Sequence, residues 1–131
     1  MTGVQTCALP IFGLGSRVTF AGYLADAQLL DHLARCRAVV FPPIGEDYGF
    51  VTVEAFSSAK SVLTCADSGG PVELVKDGDT GFIVAAQPAA MAAAMAKLMD
   101  SPSDAQRMGA RAAETAAAMT WPAALQKLLI V

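Results

Sequence analysis

Short apolar runs alternate along the chain with stretches of helical periodicity, and glycine- or proline-rich turns separate them. Apolar runs at residues 38–41, 61–65 and 81–84 each predict a strand, and the uninterrupted run at 38–41 predicts one that is covered on both faces. β-Branched and aromatic residues at 17–21 predict a further short strand. Strands that alternate with helices at this spacing indicate right-handed βαβ units, so the predicted fold class is α/β with a parallel sheet.

Helical periodicity predicts the elements that connect and follow these strands. The predicted helices cover residues 26–37, 50–59 and 71–75, then an alanine-rich stretch at 85–118 with a restart at 101–102, and a last helix that starts at 120–122. Met91, Met95, Leu98 and Met99 form one stripe, which is expected to pack against the sheet, with an adaptable partner surface as the alternative. Leu125, Leu128 and Leu129 predict a docking face on the last helix.

The composition is that of one folded domain. Hydrophobic residues make up 54% of the 131 residues and charged residues only 16%, which argues against disorder and allows a real core. The net charge is −3 and the nine Lys and Arg are scattered, so no basic surface for nucleic acid is expected. No uninterrupted apolar run reaches the roughly 18 residues that suggest a transmembrane helix, so no transmembrane segment is expected.

The cysteines and the single histidine favour neither a catalytic triad nor a metal site. Cys7, Cys36 and Cys65 occur singly without a CxxC pair, which is typical of reduced thiols in a cytoplasmic protein. His32 lies on a polar helix edge, where a solvated residue is expected rather than a catalyst or a ligand. A Ser-His-Asp or Cys-His triad would have to use this histidine. We therefore expect no metal and no bound cofactor.

The first twelve residues stand apart from the rest of the chain. They contain a short apolar run with no basic region before it, so they make a poor signal peptide. The string is similar to a translated sequencing adapter, and residues 1–12 are therefore expected to be a non-native leader. The predicted domain organisation is this leader followed by one domain over residues 13–131.

The candidate chemistry lies at the turn between the first buried strand and the helix that follows it. Glu46 and Glu54 flank this turn, and a carboxylate in so apolar a segment costs several kcal/mol unless it reaches a polar partner. In an open parallel sheet, ligands bind outside the carboxyl ends of the strands. Gly49 lets the backbone approach a ligand closely, and the free N–H groups of Phe50 and Val51 suit a phosphate.

Charge narrows the type of ligand at this turn. No Lys or Arg lies between Arg37 and Lys60, so a phosphate there would be held largely by backbone dipoles. Carboxylates repel phosphate, so Glu46 and Glu54 are expected to accept hydrogen bonds from the hydroxyls of a sugar or a ribose. A nucleotide with an attached sugar provides both the phosphate for the backbone amides and the hydroxyls for the two carboxylates. The alternative is that Glu46 is a solvated loop residue and Glu54 a helix-surface one.

A second glycine turn precedes the short helix at residues 71–75. It consists of Ser68, Gly69 and Gly70. Two interpretations stay open for it, namely another lip of the same cleft and a plain structural turn.

Five segments follow one another in an order that resembles a known family. They are RVTFAGY at 17–23, AVVFP at 38–42, EDYGFVTVEA at 46–55, SGGPVE at 68–73 and DGDTGFIV at 77–84. This order is similar to that of the C-terminal, donor-binding domain of family 4 retaining glycosyltransferases, and the match runs from about Arg17 to Leu129. The resemblance implies the GT-B fold of two Rossmann-like domains that face a cleft. This chain would be the C-terminal half, truncated at its N-terminus.

The resemblance also implies a role for each residue of the turn. Glu46 is similar to the glutamate that contacts the donor sugar near the reacting centre, and so is the expected catalytic residue. Tyr48 and residues 49–51 resemble the segment that meets the sugar and the diphosphate. Glu54 is similar to the glutamate that binds the ribose hydroxyls. The implied activity is hexosyl transfer from a nucleotide-diphosphate sugar to an acceptor hydroxyl, with retention of configuration and without an essential metal.

The chain departs from the family pattern in two ways. Residues 59–61 read Ala-Lys-Ser where family members commonly carry Gly and Pro. The acceptor-binding N-terminal domain is missing, as are the opening strands with the basic residues that neutralise the diphosphate. The piece is therefore expected to be inactive alone, with an unknown glycan, lipid or small-molecule acceptor.

More than one cellular location and more than one class of function stay open at this point. The expected location is the cytoplasm or the inner face of the membrane. A non-catalytic sugar-nucleotide-binding or interaction module is the second hypothesis. A phosphate-binding α/β domain of another type, such as a sugar epimerase or a phosphorylase relative, is the third.

Overall fold

The computed structural model describes residues 13–129. Its elements are α1 (Asp26–Arg35), β1 (Ala38–Val40), α2 (Phe50–Ser57), β2 (Ser61–Cys65), α3 (Gly70–Leu74), β3 (Gly81–Val84), α4 (Pro88–Asp100), α5 (Pro102–Ala117) and α6 (Trp121–Leu129). The predicted leader at residues 1–12, which includes Cys7, lies outside the described residues. Within the described range, no helix combines the length and the apolar character that crossing a bilayer requires.

The three strands form one parallel sheet in which β2 lies between β1 and β3. Val39 pairs with Val62, and Leu63 pairs with Phe82. Every residue of β2 is buried, as expected for the central strand of a sheet that is covered on both faces. The predicted class, α/β with a parallel sheet flanked by helices, is therefore confirmed.

Alternating residues of β2 divide the core into two clusters. Val62 belongs to a cluster with Phe56 of α2 and Ala112 of α5. The next residue, Leu63, belongs to a second cluster that includes Leu98 of α4. Successive side chains of a strand point to opposite faces, so helices cover both faces of the sheet, and α5 contributes to both clusters through Ala112 and Met108.

The strand predicted at residues 17–21 does not form. Val18 and Phe20 are exposed. A strand needs hydrogen bonds from a neighbouring strand, and within the described residues the sheet β1-β2-β3 does not extend to this segment. The prediction was wrong because β propensity without a pairing partner does not make a strand.

β1 is shorter and less covered than its apolar sequence predicts. It ends at Val40 rather than at Phe41, and the Val40 side chain is 42% exposed. Because β1 is the edge strand of the described sheet, only β2 lies beside it. Ala38 and Val39 pack against the two opposite core clusters, so the expected cover on both faces is present but incomplete, and the fully covered strand is β2.

The methionine stripe of α4 is buried on one side only. Leu98 is buried, whereas Met95 and Met99 are exposed. These two methionines line a shallow groove beside Val40 at the edge of the sheet. The predicted packing against the sheet is therefore correct for Leu98 and for the partly buried Met91, and wrong for Met95 and Met99, because the described sheet ends before it reaches them.

The predicted docking face of the last helix is also wrong for the described chain. Leu125, Leu128 and Leu129 of α6 are all more than half exposed. The half-buried residue of α6 is Ala123, and it lines a cavity together with the end of α5. A small residue, rather than the leucines, therefore faces the neighbouring helix.

The end of α2 shows why the departure at residue 59 matters physically. Ala59 has a φ of +55°, its N–H donates to the Phe56 oxygen, and the Lys60 N–H donates to the Ala55 oxygen, both at 2.9 Å. These are the two hydrogen bonds of a Schellman motif, whose left-handed residue is usually glycine. The turn is also tightly packed, because a Cβ on Gly109 of α5 would collide with the Ala59 oxygen.

Replacing Ala59 by glycine is therefore expected to stabilise the chain. The left-handed conformation costs an alanine about 1–2 kcal/mol, and the extra entropy that glycine loses offsets about 0.5–1 kcal/mol of that gain. Chemical denaturation of Ala59→Gly should show a free energy of unfolding higher by about 0.5–1 kcal/mol. Ala110→Gly on the exposed face of α5 is the control and should lose about 1 kcal/mol. A loss in Ala59→Gly would contradict the motif.

Candidate functional site

The turn after β1 and the turn after β2 lie side by side at the carboxyl edge of the sheet. The Glu46 N–H donates to the Ser68 oxygen at 3.0 Å, and the Gly70 N–H donates to the Glu46 oxygen at 2.7 Å. Together these bonds form a parallel bridge between Glu46 and Gly69. The structure therefore joins the second glycine turn, Ser68 to Gly70, directly to the turn that carries Glu46.

This close approach requires glycine at three positions, and at Gly70 a Cβ would lie 2.6 Å from the Asp47 carbonyl oxygen. Gly49, immediately before α2, has a φ of +83°, and a Cβ there would lie 2.7 Å from Cγ of Pro71. Gly69 has a φ of +76°, and a Cβ there would overlap the Glu46 carbonyl oxygen. A larger residue at any of these positions would force the two turns apart.

The amino end of α2 is open. The helix begins at Phe50, and Gly49 offers no side chain to cap it. The Thr52 N–H donates to the Gly49 oxygen at 2.8 Å, but within residues 13–129 no acceptor takes the N–H groups of Phe50 and Val51. The first turn also carries no acidic residue. Free amides and the helix dipole together make this point favourable for an anion.

The two glutamates have different surroundings. Glu46 is half-buried, and its backbone is held in the bridge to Gly69. Glu54 lies one turn into α2 and is exposed. Tyr48 of this turn lines a cavity, and neither glutamate lies in the walls of that cavity. Contact of Glu46 and Glu54 with one ligand therefore stays a prediction. The exposure of Glu54 also fits the alternative that it is a helix-surface residue.

Two aromatic rings and a cavity flank the turn. The rings of Tyr48 and Phe50 are 5.0 Å apart between centroids, with their planes at 54°, and both side chains are exposed. Tyr48 also lines a cavity of about 500 Å³, whose other walls come from α5, α6 and the segment between them. Trp121 and Lys127 lie in those walls.

Sequence reasoning missed Trp121 and Lys127 as neighbours of the turn. Both lie far along the chain from Tyr48, and no local spacing links an α6 residue to the loop after β1. Their types gave the only signal, because an exposed tryptophan and a lysine beside an anion site are common ligand contacts. Lys127 therefore places a cation in the wall of a cavity that Tyr48 also lines, and the turn has no cation in its own sequence.

The thiols contribute no nucleophile to this site. Cys36 and Cys65 are free thiols, as predicted. Burial raises the pKa of both, with Asp67 adding to the rise at Cys65 and Lys60 opposing it at Cys36. Both thiols are therefore protonated and weakly nucleophilic near neutral pH.

The described residues also include no cluster that is suited to a metal ion. Within residues 13–129, no group of three or more His, Cys, Asp or Glu side chains is arranged to hold one. The groups that this turn presents are backbone amides, carboxylates and exposed aromatic rings. Such groups bind and orient a ligand that carries both anionic and hydroxyl groups.

The chain matches the family described as Glycosyl transferases group 1 over residues 11–115. It belongs to this family. This group 1 glycosyltransferase chain is 35% identical over 120 residues to the D-inositol 3-phosphate glycosyltransferase of Streptomyces scabiei (strain 87.22). The aligned region covers 91% of this chain and 26% of that relative. The chain therefore spans about a quarter of the length of the curated relatives that it matches.

Solved structures of other glycosyltransferases share the fold of this group 1 chain. Sucrose-phosphate synthase from Thermosynechococcus elongatus superposes with a TM-score of 0.84 at 30% identity, over 94% of this chain and 31% of that one. HepE from Anabaena in complex with UDP-glucose gives a TM-score of 0.75 at 27% identity, over 86% of this chain and 31% of that one. The neighbours are GT-B proteins, so the chain corresponds to the C-terminal domain of that fold.

Proposed function

We propose that the turn at residues 46–51 binds the diphosphate and the sugar of a nucleotide-sugar donor in a hexosyl-transferring glycosyltransferase. The open amino end of α2 carries this proposal, because the Phe50 and Val51 amides have no acceptor among residues 13–129. Membership of the Glycosyl transferases group 1 family supports sugar transfer. The complex of HepE with UDP-glucose supports a nucleotide sugar as the class of donor.

Each residue of the turn has a physical task in this proposal. The amides of Phe50 and Val51 stabilise the negative charge that grows on the leaving diphosphate. Glu46, half-buried and fixed by its backbone bonds, accepts hydrogen bonds from the sugar and orients the anomeric carbon. Glu54 accepts hydrogen bonds from the ribose hydroxyls. Residues 68–70 form the adjacent wall, because they are hydrogen-bonded to Glu46.

The transfer proceeds with retention of configuration in this proposal. The acceptor hydroxyl attacks the anomeric carbon from the face that the diphosphate leaves, and an oxygen of the leaving phosphate takes the hydroxyl proton. Backbone amides provide the charge stabilisation at the helix end, so the step needs no essential metal. The acceptor binds to a part of the enzyme outside these residues, and the chain alone binds donor without transferring the sugar.

Cytoplasmic location stays a prediction.

Carboxylate-to-amide variants of the two glutamates test the proposal. Loss of one charged hydrogen-bond acceptor costs about 1.5–3 kcal/mol, which is about a 10- to 100-fold rise in the Kd. Glu54→Gln should weaken a nucleoside diphosphate and its sugar conjugate equally, because both contain the ribose. Glu46→Gln should weaken only the sugar conjugate. Calorimetry with uridine, guanosine and adenosine diphosphates and their hexose conjugates measures both effects.

The control for these variants is Glu114→Gln on the exposed surface of α5, which should leave every Kd unchanged. Unchanged affinity in both Glu46→Gln and Glu54→Gln would refute the assigned roles. Donor binding without sugar transfer, in a form of the protein that also carries an acceptor-binding domain, would favour the non-catalytic module instead.

A further inference from the structure

Three basic residues line a second cavity. It lies at the amino-terminal ends of the strands, opposite the carboxyl ends that carry the turn at residues 46–51. Arg35, Arg37 and Lys60 line this cavity of about 320 Å³, together with Cys36 and Gln106. Arg37 precedes β1 and Lys60 precedes β2, so the cavity lies at the amino ends of the strands, away from the turn at residues 46–51. None of the described residues that line it is acidic, although the chain has twelve Asp and Glu against nine Lys and Arg.

Local partners compensate these cations only in part. Arg35 forms an ion pair with Asp31, one turn earlier on α1. The Lys60 Nζ donates to the Ala34 oxygen at 2.9 Å, which offsets the partial negative charge at the end of α1. Arg37 and Lys60 take part in none of the ion pairs found within residues 13–129. Two of the residues that line the cavity, Arg37 and Lys60, therefore carry positive charges that have no ion-pair partner among residues 13–129, and Arg37 also lines the groove beside Val40.

Uncompensated like charges in one cavity repel each other, and an anion between them converts this repulsion into attraction. An arginine fork offers paired donors that match the oxygens of a phosphate, and a lysine adds a point charge. Gln106 adds amide donors from the wall that α5 forms. We propose that this cavity binds a small phosphate-bearing anion, at a site separate from the turn at residues 46–51.

Cys36 gives this site its own reporter. Cys36 lines the cavity and is partly exposed, whereas Cys65 is buried. In a Cys7→Ser background, the rate of alkylation by iodoacetamide therefore measures access to Cys36. A bound anion blocks the reagent, so inorganic phosphate at about ten times its Kd should slow alkylation about tenfold. Sodium chloride at equal ionic strength should not protect the thiol. Phosphate at the turn after β1 leaves this rate unchanged, because that turn lies at the carboxyl ends of the strands.

Arg37→Gln should abolish the protection of Cys36 by phosphate. Lys97→Gln on α4 is the control, because it removes one positive charge outside the cavity and should leave the protection unchanged. Lys60→Gln gives a second variant with the same expectation if Arg37→Gln loses its helical circular dichroism. Because burial raises the pKa of Cys36 and Lys60 lowers it, each variant is compared with and without phosphate at one pH. Equal protection in wild type and both cavity variants, or no protection in wild type, would overturn the proposal. Protection by vesicles that contain phosphatidic acid but not by free phosphate would overturn the assignment to a small anion.

Discussion

Gly81→Ala is expected to lower the free energy of unfolding by about 3 kcal/mol or more. Gly81 begins β3 and pairs with Val62 of the central strand. A Cβ at this position would lie 2.8 Å from the Val62 carbonyl carbon, 2.9 Å from its nitrogen, and closer still to its oxygen. These are backbone atoms of a buried strand, so they cannot turn aside as a flexible side chain does. The methyl group must therefore push β3 away from β2.

Chemical denaturation measures this loss against a glycine that has no such neighbour. Gly15 has a φ that other residues adopt, and a Cβ there would meet nothing within 4 Å. Gly15→Ala should therefore change the free energy of unfolding by less than about 0.5 kcal/mol. If Gly81→Ala were as stable as Gly15→Ala, the close approach of β2 and β3 would be disproved.

Gly49→Ala is expected to remove donor binding while the sheet stays folded. The left-handed backbone costs alanine about 1–2 kcal/mol, and the new Cβ would lie 2.7 Å from Cγ of Pro71. Relief of this contact moves the start of α2 away from α3, and the Phe50 and Val51 amides move with it. Two charge-assisted hydrogen bonds of about 1.5–3 kcal/mol each are then lost, which weakens donor binding about 100-fold or more.

Gly22→Ala separates the backbone cost from the displacement of the helix. Gly22 has a φ of +67°, but a Cβ there would meet nothing within 4 Å. This control should lose a similar conformational free energy and keep the affinity of wild type for the donor, as calorimetry can measure. Wild-type affinity in Gly49→Ala would mean that the start of α2 does not hold the diphosphate.

The sequence predicts best those strands whose pairing partners lie within the described residues. The runs at 61–65 and 81–84 form β2 and β3 at the predicted positions, because each pairs with a neighbour within the described residues. The run at 17–21 is also rich in β-branched and aromatic residues, but within residues 13–129 no strand pairs with it, and it does not form a strand. Pairing, rather than propensity, decided the difference.

Packing faces could be predicted only as far as the sheet extends. Leu98 and Met95 belong to the same apolar stripe of α4, yet the sheet covers the first and leaves the second exposed. The leucines of α6 have a periodic spacing that is compatible with burial, but spacing does not reveal what lies opposite. Periodicity identifies a face that is capable of packing, and the three-dimensional arrangement determines whether another element reaches it.

The candidate site was predictable in its local part and not in its long-range part. Residues 49–51 could be placed at a helix start from the sequence, because glycine before an apolar helix gives a local signal. The bonds that join Glu46 to residues 68–70, and the cavity that Tyr48 and Lys127 both line, depend on chain segments that are distant in sequence. The convergence of Arg37 and Lys60 depends in the same way on the parallel pairing of β1 and β2.

Backbone amide NMR during a titration with nucleoside diphosphates shows which amides of the chain hold the diphosphate. Binding at the open end of α2 predicts the largest chemical-shift changes at the Phe50 and Val51 amides, with smaller changes at Gly49 and across the bridge at Gly69. The hexose conjugate should add changes at Glu46. Saturable binding that leaves the Phe50 and Val51 resonances unmoved would contradict the account, because the ligand would then be held by another part of the chain.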